Sequence, residues 1–170
     1  MKYPLAISVF FSALLMGIFC YSQEANRYRI ERATIKNLSP NIAITSVIED
    51  THGFLWLGTS NGMYRYDGYK TQVWLNKAND TNSLSHNYVL ALAQDKDKTI
   101  WCGTFGAGLN CIDYKKQILS RIKQNYIGTS FQLIKCILKP QKESGVWIAS
   151  PAALLKLSAK GVIEKQIQLP

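Results

Sequence analysis

The chain has 170 residues, 20 Lys and Arg against 11 Asp and Glu, and a formal net charge of +9. Its basic residues are scattered, many alternating with apolar ones as on the solvent side of a strand, which argues against a nucleic-acid patch and leaves a long-range preference for acidic ligands. Cysteine is thin at four residues, and after residue 23 no apolar run is long enough to span a bilayer, which takes about 20 residues.

The first element is an address. After Met1 and Lys2 an uncharged apolar run extends from Leu5 to Phe19, followed by Cys20, Tyr21 and Ser22. A short positive start, an apolar stretch of this size and small residues at its end describe a secretory signal peptide over 1–22, cleaved after Ser22. An uncleaved anchor is the competing reading, and the run is short for one. Cys20 raises a lipoprotein signal, but bulky Phe19 stands where a small residue is wanted. Export places residues 23–170 in a bacterial periplasm or outside a cell, with room for a single core of ordinary size. It also makes a nucleic-acid partner for this segment unexpected.

Residues 27–35 alternate like a strand but precede any complete repeat. From residue 37 onward a pattern recurs. An apolar run ends in an acidic turn (44–50 and 89–95), and a strand with a central tryptophan and a terminal Gly-Thr follows (55–59 and 100–104). A glycine-started strand then ends in aspartate (62–67 and 108–113). The third copy is worn: 134–140, then 145–150 around Trp147, then 154–157. Ala149 and Ala153 stand where the earlier copies have glycine. Trp56, Trp101 and Trp147 are separated by 45 and 46 residues, the period of a four-stranded propeller blade, about 40–45 residues. A fourth strand is expected over 69–75, 118–124 and 162–169. A second marker is in phase: Leu38, Ser39, Pro40 and Asn41 precede the first copy, and Leu84, Ser85, His86 and Asn87 the second.

The fold expected is therefore all-β, an incomplete propeller of about three four-stranded blades after the signal peptide. Residues 23–36 form an early strand of the kind that closes a full propeller. Blade 1 covers 37–80, blade 2 covers 81–126 and the degenerate blade 3 covers 127–170. Closed propellers have about 4–8 blades. Either the chain is the first part of a longer protein, the preferred reading, or it is an open wedge that pairs with other copies.

The repeated residues read as structural. Trp56, Trp101 and Trp147 should pack between neighbouring blades, each burying about 150–250 Å². Gly58 and Gly103 should allow a close approach of backbone or ring. Asp50, Asp95, Asp67 and Asp113 should accept hydrogen bonds from turn amides. Cys111 is expected nearly opposite Cys102 across the turn at 105–108. A disulfide between them is one possibility; two small apolar side chains in a sheet are preferred, because directly paired strand positions fit disulfide geometry poorly.

Residues 50–67 and 100–113, with 84–87 before the latter, resemble the two-component regulator propeller repeat found in the periplasmic sensor region of hybrid histidine kinases. The resemblance covers nearly all of residues 27–158. It implies two seven-bladed propellers, a small β-sandwich, a membrane helix, a histidine kinase core, and commonly a receiver and a DNA-binding output. It also implies a homodimeric sensor anchored in the inner membrane, with ligands that are oligosaccharides or other glycan breakdown products. Nothing in this sequence resembles a phospho-acceptor histidine motif or a nucleotide-binding segment, so no catalytic residue, cofactor or metal is expected. The partners expected are a small carbohydrate and the missing blades, from the same polypeptide or another copy.

Ligand contacts are expected on the loops joining the second strand of a blade to its third, and one blade to the next. These contribute Ser60, Asn61, Phe105, Pro40, Asn41, His86 and Asn87. Asn61, Phe105, His86 and Asn87 are the candidates, because amides and an aromatic ring suit sugars. The competing reading is that Asn and Ser satisfy turn backbone. Tyr64, Tyr66, Tyr69 and Trp74 alternate along strands, and sheet packing accounts for them. His52 and His86 are expected in surface turns. A secreted propeller enzyme acting on polysaccharide would need converging carboxylates or a partnered histidine, and a stand-alone secreted interaction module is the third reading.

Overall fold

A computed structural model describes residues 35–113, 118–122, 133–151 and 153–169. The expected signal peptide, nearly all of the early strand over 23–36 and parts of blades 2 and 3 lie outside them. The described residues belong to one compact unit, Thr34–Pro170. They contain no helix.

Twelve strands form three antiparallel four-stranded meanders. The first sheet is β1 (Ile44–Glu49), β2 (Leu55–Thr59), β3 (Gly62–Tyr66) and β4 (Thr71–Trp74); the second is β5 (Val89–Gln94), β6 (Ile100–Thr104), β7 (Gly108–Asp113) and β8 (Ile118–Arg121). The third is β9 (Cys136–Leu138), β10 (Val146–Ala149), β11 (Ala153–Leu157) and β12 (Ile163–Gln168). β2, β6 and β7 coincide with their expected segments, β11 starts one residue before its own, and the other strands are shorter than expected by one or more residues. Tyr69 and Lys70, expected to open the fourth strand, belong instead to the turn, where the amides of both donate to Asp67 Oδ1 at 2.8 and 2.6 Å. Those two amides hold the Asp67 carboxyl below its ordinary pKa.

The acidic turns owe their shape to one side chain. Asp50 Oδ1 accepts from the amides of His52 and Phe54, at 2.8 and 3.1 Å, and Asp95 Oδ1 accepts from that of Thr99 at 2.9 Å. Gly53 takes φ +82° here, and Lys98, its counterpart, takes φ 68°, a conformation that glycine adopts without steric cost. The second carboxylate oxygen does what the sequence reading missed. Asp50 Oδ2 accepts from the Trp56 indole at 2.8 Å, and Asp95 Oδ2 from the Trp101 indole at 2.9 Å. A hydrogen bond to a charged acceptor contributes about 1.5–3 kcal/mol. The turn therefore also positions the tryptophan.

The sheets pack in chain order, β1 beside β5 and β5 beside β9. Trp56 is fully buried with Met63, Val89, Leu92 and Cys102 and stacks on Trp74, ring centroids 5.1 Å apart. Trp101 is fully buried with Leu109, Ile134, Val146, Ile148 and Leu155. Trp147 remains partly exposed, because no described element lies beyond the third sheet to cover it. The two repeat glycines admit aliphatic side chains of the next blade. A Cβ on Gly58 would stand 2.7 Å from Val89 Cγ1, and one on Gly103 2.6 Å from Ile134 Cγ2. Hydrogen bonds add to this contact: Thr45 Oγ1 donates to Val89 O at 2.6 Å and Leu92 N to Ser46 Oγ at 3.1 Å.

Cys111 does not face Cys102. The register pairs Cys102 with Asn110 and Cys111 with Trp101, so adjacent alternation places the two thiols on opposite sides of the sheet. Both are free. Burial raises the pKa of each, that of Cys111 to about 11 with help from the charges of Asp95 and Asp113. Asp113 is exposed at the end of β7, opposite Ile118; the turn expected to hold it lies outside the described residues.

Candidate functional site

The loops that carry the expected ligand residues start from a shared device at the end of each second strand. Thr59 Oγ1 donates to Gly62 O at 2.9 Å, Thr104 Oγ1 to Gly108 O at 2.9 Å, and Ser150 Oγ to Ala153 O at 3.1 Å. A hydroxyl closes the loop in all three blades, including the one that has lost its glycines. Asn61 sits exposed on the first of these loops, its amide donating to Thr59 Oγ1 at 3.0 Å.

Loops of neighbouring blades then meet. Gly62 N donates to Asn87 O at 2.6 Å, which sets Asn61 beside Asn87. Phe105 N donates to Tyr88 O at 2.9 Å, and Phe105 bridges to Leu133 of the third blade. The Phe105 ring lies 6.4 Å from that of His86 and 5.9 Å from that of Tyr88, nearly parallel to the latter at 30°. Phe105 is 50% exposed and Tyr88 36%. Tyr88 N donates to His86 Nδ1 at 3.0 Å, so the neutral ring carries its proton on Nε2.

The structure thus brings His86, Asn87 and Phe105 together and places Asn61 next to Asn87. Ser60 lies on the same loop, its amide bonded to Ala43 O at 3.0 Å. Pro40 and Asn41 are exposed on the segment leading to β1. The Asn87 side chain also has a structural task, Oδ1 accepting from Asn76 N at 2.6 Å. Tyr88 was not among the sequence candidates; its place one residue before a strand in an aromatic-containing loop was the available signal. Of the tyrosines attributed to sheet packing, Tyr64 is buried, but Tyr69 is 88% exposed at its turn. Sheet packing does not account for Tyr69.

The connection over 76–87 is built from below by two polar side chains with distant partners. Asn110, fully buried, accepts from Ser85 N at 3.0 Å and donates to Ser85 Oγ at 2.9 Å. Arg121 donates to the carbonyls of Asp80, Ser83 and Leu84, each at 2.9 Å. Arg121→Ala should remove a shared donor from all three carbonyls, those of Asp80 and Leu84 keeping Ser83 Oγ and Asn76 Nδ2, and loosen the loop. We expect a loss of about 2 kcal/mol by urea denaturation and faster amide exchange confined to 76–87; unchanged exchange there would show that the clamp is not needed.

A cleft of about 580 Å³ opens at the C-terminal ends of β1, β5 and β9, where Glu49, Gln94 and Lys139 occupy matching positions in the three blades. Gln94 Oε1 accepts from Thr51 N at 2.9 Å and ties the first two blades together. Among the described residues no three His, Cys, Asp or Glu side chains gather where a metal ion would be held. His52 is exposed in a turn, and His86 is exposed in the loop before β5.

Three successive antiparallel four-stranded sheets, with Trp56 and Trp101 between them, define a segment of β-propeller. The family model of the two component regulator propeller matches residues 37–61 and 83–106. Among solved structures, the extracellular domains of two proteins described as hybrid two component systems from B. thetaiotaomicron share the fold. One is 23% identical with a TM-score of 0.61 over 72% of this chain, the other 21% identical with a TM-score of 0.58 over 73%. The alignment covers 18% of each of those chains. A catalytically inactive virginiamycin B lyase from Staphylococcus aureus is similar at 15% identity and a TM-score of 0.59, over 82% of this chain and 45% of its own. No curated protein matches the sequence significantly.

Proposed function

We propose that this chain is a ligand-sensing segment of the extracellular or periplasmic propeller of a two-component sensor, and that its ligand is a small glycan-derived carbohydrate. The repeat match and the likeness to extracellular domains of two-component systems support the sensor reading. The observation that carries the ligand is the exposed ring set of Phe105, Tyr88 and His86, held by backbone hydrogen bonds at the junction of two blades. Core packing does not require rings that stand in water. A pyranose offers them an apolar face, while Asn61, the Asn87 amide and His86 Nε2 offer hydrogen bonds to its hydroxyls. The segment itself binds rather than catalyses. In the whole sensor, exported by its signal peptide and anchored in the inner membrane as a homodimer, binding would shift the propellers and pass a signal across the membrane.

The test is calorimetric titration of the chain with a panel of oligosaccharides. Phe105→Ala and Tyr88→Ala should each weaken binding at least tenfold, the scale of about 1.4 kcal/mol, with unchanged unfolding midpoints because both rings are exposed. A panel in which nothing binds, or binding indifferent to both substitutions, would remove the carbohydrate reading.

A further inference from the structure

The first two sheets are tied together in three places along their inner strands. Thr45 Oγ1 donates to Val89 O at 2.6 Å, Leu92 N to Ser46 Oγ at 3.1 Å and Thr51 N to Gln94 Oε1 at 2.9 Å. Register identifies the residues that hold the same places one blade on. Thr45 and Leu90 both sit at the irregularity near the start of the inner strand, and Ser46 opposes Gly58 as Ala91 opposes Gly103. Gln94 and Lys139 each follow the residue paired with the repeat tryptophan, Ala93 with Trp101 and Leu138 with Trp147. None of the three replacements can do the same work. Leu90 has no hydroxyl to donate, Ala91 no side-chain oxygen to accept, and the Lys139 ammonium is a donor only.

The second and third sheets meet instead through apolar side chains, Ala91, Ala93 and Trp101 with Ile134, Ile137 and Ile148. One end of this junction is pinned, where Phe105 bridges to Leu133 and Ile134 fills the space over Gly103. The other end, from Ile137 to Lys139, has no hydrogen bond to the second sheet among the described residues. Apolar contact is non-directional and tolerates small displacements that a hydrogen bond does not. We propose that the second junction is the moving joint of this segment. The third sheet swings on the Phe105–Leu133 bridge, and the end near Lys139 opens and closes while the first junction stays shut. The opening end forms one side of the cleft at the C-terminal ends of the inner strands, whose walls include Ala93, Ile137 and Lys139. The pivot carries the exposed Phe105 ring, so the swing reaches the ring set; the joint itself stands without the carbohydrate reading.

Methyl relaxation dispersion of the chain, which detects exchange on the microsecond to millisecond scale of hinge motions, tests this. The methyls of Ala93 and Ile137 should show exchange, and those of Ile48 and Leu92 at the first junction should not. Leu90→Thr, Ala91→Ser and Lys139→Gln together restore the set found at the first junction. The exchange at Ala93 and Ile137 should then fall at least about tenfold, each hydrogen bond being worth a factor of a few. Lys139→Gln alone changes an exposed side chain, so it should keep the fold and lower the exchange in the same direction. Equal exchange at both junctions, none at either, or exchange that survives either set of substitutions would overturn the proposal. So would exchange equally strong at Leu154 and Ile167, in the groove on the far side of the third sheet, because that pattern is fraying of one sheet and not a swing of it.

Discussion

Trp101→Ala should lower the unfolding free energy by about 3–5 kcal/mol, the range for removing a buried aromatic side chain. Trp147→Ala should cost about 1–3 kcal/mol less. Two physical differences separate the pair. Trp101 is fully buried between two sheets, and its indole satisfies Asp95 Oδ2, itself buried. Alanine at 101 therefore opens a cavity and also leaves a carboxylate oxygen without its donor, which alone costs about 1–3 kcal/mol. Trp147 lies on the uncovered face, and the residue six positions before it is Gln141, where Trp56 and Trp101 have Asp50 and Asp95. Urea denaturation of the two variants at a concentration where the chain is monomeric separates the effects. Equal losses would show that the Asp-indole bond and the second sheet add nothing.

The second result concerns Gly58. A Cβ there would sit 2.7 Å from Val89 Cγ1, with its next neighbours at 3.4 Å. The obstacle is thus a single methyl of the adjacent blade. Gly58→Ala should cost about 1–3 kcal/mol as overpacking. Val89→Ala, at a fully buried position, should cost about 2 kcal/mol as a cavity. The double variant should be more stable than the sum of the two losses by about 1 kcal/mol or more, because the new methyl occupies the space the old one leaves. Strict additivity would mean that Gly58 is not placed for this contact. At Gly103 the same rescue should be incomplete, since Ile134 Cβ and the Ile134 carbonyl also approach, at 2.8 and 3.1 Å.

The two glycines illustrate what one sequence can disclose. Their need for close approach was readable from position in a repeat, but the partner was expected to be backbone or a ring and is an aliphatic side chain from the next copy. The carboxylates show the same division. Turn capping by Asp50, Asp95 and Asp67 involves amides two to four residues away and follows from local chemistry. The indole bond spans a strand reversal, though its fixed spacing of six residues in both intact copies was a usable signal. The two cysteines were misplaced for another reason. Inferring facing positions across a turn requires knowing how many residues the loop leaves unpaired, and a miscount of one reverses the face.

The candidate site was legible only in part. Asn61, His86, Asn87 and Phe105 could be named because they lie in loops whose phase the repeat defines. Tyr88 escaped because its ring gains significance only from Phe105, seventeen positions on, once β5 and β6 of the second blade are paired. Arg121 and Asn110 escaped more completely, since their partners lie up to 41 and 25 residues away.

What the sequence determined by itself was the repeating unit: the order of its strands, its acidic turns and the residue types at its centre. Those follow from alternation, turn chemistry and period, each expressed within a few neighbouring residues. The tertiary structure decided which faces meet, which rings stay in water and which polar side chains reach under a distant loop. These depend on the packing of one sheet against the next, which no window shorter than a blade contains.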